Sequence, residues 1–171
     1  GIPGSIDLAG AIDVDGTANL DEVDIDGAVD MASTLQVDGV ITTSDGMIIT
    51  TADNTDTLQL ISTDADASSG PNLRLYRNSG SPADSDVLGS IKFDGRNDNS
   101  QDVLYAEIRS NAFDVSDGTE DGVINVSVIT AGTKTSYLQL YNSTVVFNED
   151  STDMDFRVES NGNANMLFVD G

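Results

Sequence analysis

The sequence predicts an all-β, elongated protein that needs copies of itself to complete its core, and three observations carry that expectation. Apolar residues alternate with polar ones over short runs, as in Ile12-Asp13-Val14-Asp15 and Val23-Asp24-Ile25-Asp26, which is the period of a strand with one buried face. Eight of the 16 glycines follow an aspartate, so one turn device recurs along the chain. The apolar share, 38% with only 5% aromatic and no Trp, is mostly Val, Ile, Leu and Ala, enough for a thin core only.

Residues 1–61 are expected to be a repetitive acidic β shaft. Aligning Gly16, Gly27, Gly39 and Gly46 superimposes AIDVDGTANL, EVDIDGAVDM, TLQVDGVITT and TTSDGMIITT, at spacings of 11, 12 and 7 residues. Units this short cannot bury an apolar face alone; they need successive coils or the same strand from other chains. Asp21 to Ala32 is the nearest approach to a helical pattern, and a weak one.

Residues 62–71, STDADASSGP, are low in complexity and polar, and are expected to be a linker. Residues 72–171 are expected to form a β-rich module. All seven basic residues lie beyond the linker, whereas residues 1–69 hold fourteen acidic residues and no basic one. The predicted strands are Leu73 to Tyr76, Val87 to Phe93, Val103 to Arg109, Val123 to Ile129, Tyr137 to Tyr141, Thr144 to Phe147, Asp155 to Glu159 and Asn165 to Val169. Turns are expected at Asn78 to Pro82, Asp117 to Gly122 and Asn161-Gly162. An echo, TDTLQL from Thr55 and TSYLQL from Thr135, would mark the ends of two modules.

Charge bounds the partners. Thirty acidic residues against seven basic ones give −23, which repels nucleic acid and anionic membrane. No apolar run approaches the roughly 18 residues of a spanning helix, so membrane insertion is not expected. With neither Cys nor His, disulfides and the commonest nucleophiles, bases and metal ligands are excluded. The chain starts at Gly1 and stops at Asp170-Gly171 directly after an apolar strand, which suits a segment of something longer.

Three constellations invite a chemical reading. Asp13-x-Asp15-Gly16 and Asp24-x-Asp26-Gly27 look superficially like calcium loops, but an EF loop needs three spaced oxygen ligands before its Gly and a bidentate Glu six residues after it, and Ser33 stands at that last position in the second. Solvated edge carboxylates explain them equally well. Glu107 beside Tyr105, and Glu120-Asp121, are the carboxylates a glycosidase would need. In a chain with 30 acids adjacency is expected from composition alone, and nine aromatics make a poor sugar-processing groove. Arg96, Asn97 and Asp98 form a polar turn that would suit receptor contact or simply a turn. Phe93, Tyr105, Phe113, Phe147, Phe156 and Phe168 read as core or interface packing. The expectation is no catalytic, metal or cofactor site.

The run from Gly89 through Ser-Ile-Lys-Phe-Asp-Gly-Arg-Asn-Asp, then Tyr105-Ala-Glu-Ile, Asp117-Gly-Thr-Glu-Asp-Gly, Gly132-Thr and Leu138-Gln-Leu, resembles repeated modules of tail fibres of tailed, marine-type bacteriophages. Asp155-Phe-Arg-Val-Glu-Ser and Met166-Leu-Phe-Val-Asp-Gly are similar to the segment preceding the C-terminal end of such fibres. The resemblance covers about residues 87–171; residues 1–50 match only the style of a fibre shaft. It implies an intertwined homotrimeric β fibre, β-helix or β-prism-like, located in the virion and outside the host cell. Its partners would be itself, other tail proteins and a host surface glycan or protein receptor. The alternatives are a tailspike-like polysaccharide depolymerase and a prokaryotic surface adhesin or filament subunit.

Overall fold

The computed structural model describes residues 14, 15, 17, 23–68 and 70–158. The chain divides into two compact units, Gly1–Gln59 and Leu60–Gly171. Among the described residues the protein is all-β, with no helix. The helical pattern from Asp21 to Ala32 fails accordingly over residues 23–32.

Every described residue of the first unit is exposed, and no strand ladder forms among those residues. Val40 and Ile48 are 90% and 95% accessible. The backbone bends at Asp26-Gly27 and Asp38-Gly39, and Gly46 takes the left-handed φ of +96°. The turn device is therefore present while the strands expected between the turns are not paired within the chain. The reason is geometric: a strand exists only against a partner that accepts its N–H and carbonyl groups. Asp13 and Gly16 of the first calcium-like loop lie outside the described residues. Asp24 and Asp26 are exposed, and among the described residues no three acidic side chains gather at one point.

The polar stretch 62–71 begins the second unit. It is stitched locally, the amides of Asp64, Asp66 and Ser68 each reaching the side-chain oxygen two residues before it. The expected strand from Leu73 to Tyr76 does not form. Its attachment is through side chains: Arg77 Nη1 donates to the Val87 carbonyl at 3.2 Å and meets the Asp86 carboxylate at 2.8 Å, and Leu75 lies over Gly89.

The sheet is a meander of five antiparallel strands in chain order: β1 Asp86–Arg96, β2 Asp102–Asp114, β3 Asp121–Thr130, β4 Thr133–Tyr141 and β5 Thr144–Phe147. All five were expected. β5 has the expected ends, and the others run longer because the ladder continues through polar residues the alternation rule stops at. Residues 155–158 form no strand, and Asn161-Gly162, Phe168 and the strand expected at Asn165 to Val169 lie outside the described residues. The echo is not structural, since TSYLQL lies in β4 and TDTLQL is unpaired and exposed.

Two connections have specific backbone needs. Ala131 and Gly132 join β3 to β4 with φ of 48° and 82°, the doubly left-handed pair that a two-residue hairpin favours. Gly95 was expected to make a turn but sits inside β1, next to the bulge after Phe93; a Cβ there would come within 3.1 Å of the Tyr105 ring. Its role is close approach of an aromatic ring to the backbone.

The register sorts side chains into two faces, because directly paired residues point the same way. One face is apolar: Ile91 and Phe93 of β1, Ala106 and Ile108 of β2, Ile124, Val126 and Val128 of β3, Leu138 and Leu140 of β4, Val145 and Phe147 of β5. The other is polar: Ser90, Lys92, Glu107, Arg109, Asn111, Asn125, Ser127, Lys134, Ser136 and Gln139, with Val123, Phe113 and Tyr141 at one end.

Burial runs opposite to polarity. Among the described residues Val123 is the one buried hydrophobic, whereas Glu107, Ser127 and Thr135 are buried. Ile91, Phe93, Ile108, Ile124, Val145 and Phe147 are exposed, as are Tyr105, Phe113 and Phe156. Of the core or interface packing expected for these aromatics, the core half does not hold within a single chain for the five that are described.

Candidate functional site

The polar face is where the side chains of this sheet could meet a ligand. Its centre is an electrostatic cluster. The Lys134 ammonium donates to Glu107 Oε2, and Lys92 and Arg109 stand on either side as the cross-strand and next-but-one neighbours of Glu107. Glu107 is held below the ordinary glutamate value, first by the Lys134 hydrogen bond and then by the neighbouring positive charges, with burial opposing them. A glycosidase's acid needs the reverse, a carboxyl kept protonated near neutral pH. The other carboxylates considered from sequence are occupied with local structure. Glu120 Oε2 accepts from the Gly118 amide at 3.2 Å, and Asp121 begins β3.

Next to this cluster, towards the β2–β3 end, a cavity of about 370 Å³ opens on the polar face. Its floor is Arg109 and Asn111 of β2, Val123 and Asn125 of β3, and Gln139 and Tyr141 of β4. Ser85, Phe113 and Glu149 complete its lining. A second depression of about 310 Å³ shares Arg109, Asn125, Gln139 and Glu149 and continues to Lys134 and Asp150, so the two form one groove.

Two side loops hold the groove's rims. Before β1, the Ala83 amide donates to the Asp86 carboxylate and the Val115 amide to Asp84 Oδ1, while Asn111 Nδ2 donates to the Ser85 carbonyl at 3.0 Å. The Ala83 amide, and next to it the Arg77 guanidinium, hold Asp86 below its ordinary value. After β5, Asn148 organises residues 148–152: its Oδ1 accepts from the Thr152 amide and hydroxyl, both at 2.9 Å, and its Nδ2 donates to the Thr152 carbonyl. Asp150 then accepts from the Ser136 amide at 2.6 Å, fastening this loop to β4.

The same loop device recurs at the turn singled out from sequence. Asn97 Oδ1 accepts from the amides of Asn99 and Gln101, Nδ2 donates to Gln101 Oε1, and Ser100, like Ser151, has a left-handed φ. NDNSQ from Asn97 and NEDST from Asn148 are thus two copies of one motif, an Asn bonded to the amide four residues on with Ser at position four. The pattern is visible in the sequence once the Asn is read as the loop's organiser.

Arg96 ends β1, and Asn97 and Asp98 lie in the β1–β2 connection, at the opposite end of the sheet from the 370 Å³ cavity. The structure does not bring them to the groove. Arg96 pairs with Asp102 at 3.2 Å with both side chains more than 70% exposed, which limits the pair to less than about 0.5 kcal/mol. Asn97→Ala, by contrast, removes several loop bonds and is expected to cost about 1–2 kcal/mol. Thermal melts should show Asn97→Ala lowering the midpoint clearly while Arg96→Ala leaves it within error.

Sequence reasoning missed Arg109, Asn111, Asn125, Gln139 and Tyr141 because each is an unremarkable polar or aromatic residue in a strand. Only register gathers them. Comparison of the chain with protein-family models, with curated proteins and with solved structures gives no match.

Proposed function

We propose that this chain is a segment of a homotrimeric β fibre, a non-enzymatic structural part of a virion tail that acts as a rigid spacer and contributes to host attachment. One observation carries the reading: the sheet is a single layer whose apolar face is exposed or half-buried from Ile91 to Phe147, with only Val123, on the other face, buried among the described hydrophobics. Sheets are stable when the apolar face packs on another layer, and copies related by symmetry supply that layer without a second gene product. The exposed, unladdered residues 23–59 of the first unit suit the same completion, strand edges being closed by neighbouring chains. The resemblance of residues 87–171 to phage tail-fibre modules supplies the virion context, and three times −23, or −69 per trimer, would keep fibres from bundling.

Native mass spectrometry, or light scattering across a dilution series, tests this. The expected species is three chains, near 54 kDa from a 17.9 kDa subunit, with cooperative melting; a folded monomer at micromolar concentration would refute it.

A further inference from the structure

We propose that the groove on the polar face binds a neutral saccharide. The cavity's chemistry is unusual for a purely structural surface. Arg109 Nε and Asn111 Oδ1 are buried from solvent and have no hydrogen-bond partner, and they lie two residues apart on the same face of β2. One is a donor and the other an acceptor, both next to the cavity. Buried polar atoms normally have partners, and an orphaned donor and acceptor side by side fit a ligand hydroxyl, which both accepts and donates.

The rest of the lining extends the match. Asn125 accepts from Ser136 Oγ through Oδ1 at 2.7 Å, leaving its Nδ2 donor uncommitted among the described residues. The side chain of Gln139, its direct cross-strand partner, makes no hydrogen bond among the described residues, so a full amide lines the groove. Beside these amides stands an aromatic pair, Phe113 and Tyr141, with ring centroids 6.0 Å apart and planes at 52°. Planar amides and a cation for hydroxyls, with an aromatic ring for the apolar C–H face of a sugar, are the complement of a saccharide. At about 370 Å³ the cavity is in the range of small-ligand sites, and the adjoining 310 Å³ gives room for a second ring.

Charge selects the neutral class. Arg109 alone would suit an anion, but Glu149 shares the lining, Lys134 and Asp150 offset each other in the second depression, and the chain carries −23 overall. An acidic sugar would meet that field unfavourably. The proposal rests on the fibre reading in one respect, that the opposite, apolar face is covered so that this face points outward.

The test uses the native assembly and saturation-transfer NMR with a panel of neutral hexosides, deoxyhexosides, pentosides, N-acetylhexosaminides and their disaccharides, with glucuronate and N-acetylneuraminate as the acidic arm. At least one neutral sugar is expected to bind with millimolar affinity or better. Gln139→Ala, which breaks no internal hydrogen bond, should weaken it at least fivefold, and Tyr141→Ala at least tenfold, whereas Arg96→Ala at the far turn should leave it unchanged. The proposal is overturned if no neutral sugar of the panel binds, if only the acidic arm binds, or if binding survives both groove variants. Native mass measured on the same samples reads the oligomeric state, so failure of the trimer and failure of the sugar site are told apart.

Discussion

Ile108→Asp is expected to abolish assembly while the same change at Gln139 leaves it intact. Both positions lie mid-strand in the sheet, but on opposite faces. Ile108 is 41% exposed in the single chain. In an assembly closed over the apolar face that remaining surface is buried, contributing about 1 kcal/mol per chain. A carboxylate there adds a desolvation penalty of several kcal/mol per chain, and around a threefold axis the penalty is met three times. The dissociation constant should rise by at least ~10⁴-fold, read by analytical ultracentrifugation as loss of the trimer at micromolar protein. Gln139→Asp, on the outward face, should sediment as the native species. If Ile108→Asp still assembles, the apolar face is not the one the copies share.

Lys134→Ala is expected to destabilise the sheet by about 1–3 kcal/mol and to shift its acid unfolding to higher pH. Glu107 is only 7% exposed and Lys134 is 42% exposed, so removing the lysine strands a buried carboxylate while costing little packing of its own. The partly exposed lysine places the effect below that of a fully buried pair. The pH dependence has a definite sign. Because the folded Glu107 titrates below its unfolded value, its contribution is fully present above the unfolded glutamate pKa of roughly 4.3 and is lost as pH falls through the depressed folded value. Without Lys134 the largest lowering influence is gone, the folded value rises, and the loss begins at higher pH. Circular dichroism from pH 7 to 2 on wild type, Lys134→Ala and the double variant with Glu107→Gln checks this. The double variant should recover part of the lost stability, since no buried charge is left unpaired.

Much of the second unit's fold was legible in the sequence. Runs such as Val103 to Arg109 and Val123 to Ile129 alternate with a period of two and end at polar turns, and local periodicity suffices to name a strand. Leu73 to Tyr76 has the same local pattern and is not a strand, since no backbone ladder pairs it with a neighbour and its contacts with β1 are made by side chains. Gly95 looks like Gly118 in sequence, each after an Asp, yet one sits under the Tyr105 ring in a strand and the other takes a φ of +85° in a turn. Nothing local separates them; the contact that decides is made with a residue ten positions on.

The candidate site was the least legible part. Arg96, Asn97 and Asp98 drew notice because they are consecutive, and consecutive polar residues are what a turn requires. Arg109, Asn125 and Gln139 are separated by 16 and 14 residues and become neighbours only when three strands pair in one register. A slip of one residue in either pairing would send Asn125 or Gln139 to the apolar face.

The sequence by itself determined that this is a β protein with a thin core, strongly acidic, without cysteine or histidine chemistry, and with the five strands of its sheet where alternation places them. Those are properties of composition and of neighbours along the chain. Tertiary structure alone decided which side chains share a face, and so that the apolar stripes of five strands merge into one exposed surface while an orphaned donor and acceptor meet amides and an aromatic ring on the other. The reason is that cross-strand register is a long-range quantity, fixed by bulges at Phe93, Ala112 and Val126 and by turns of defined length.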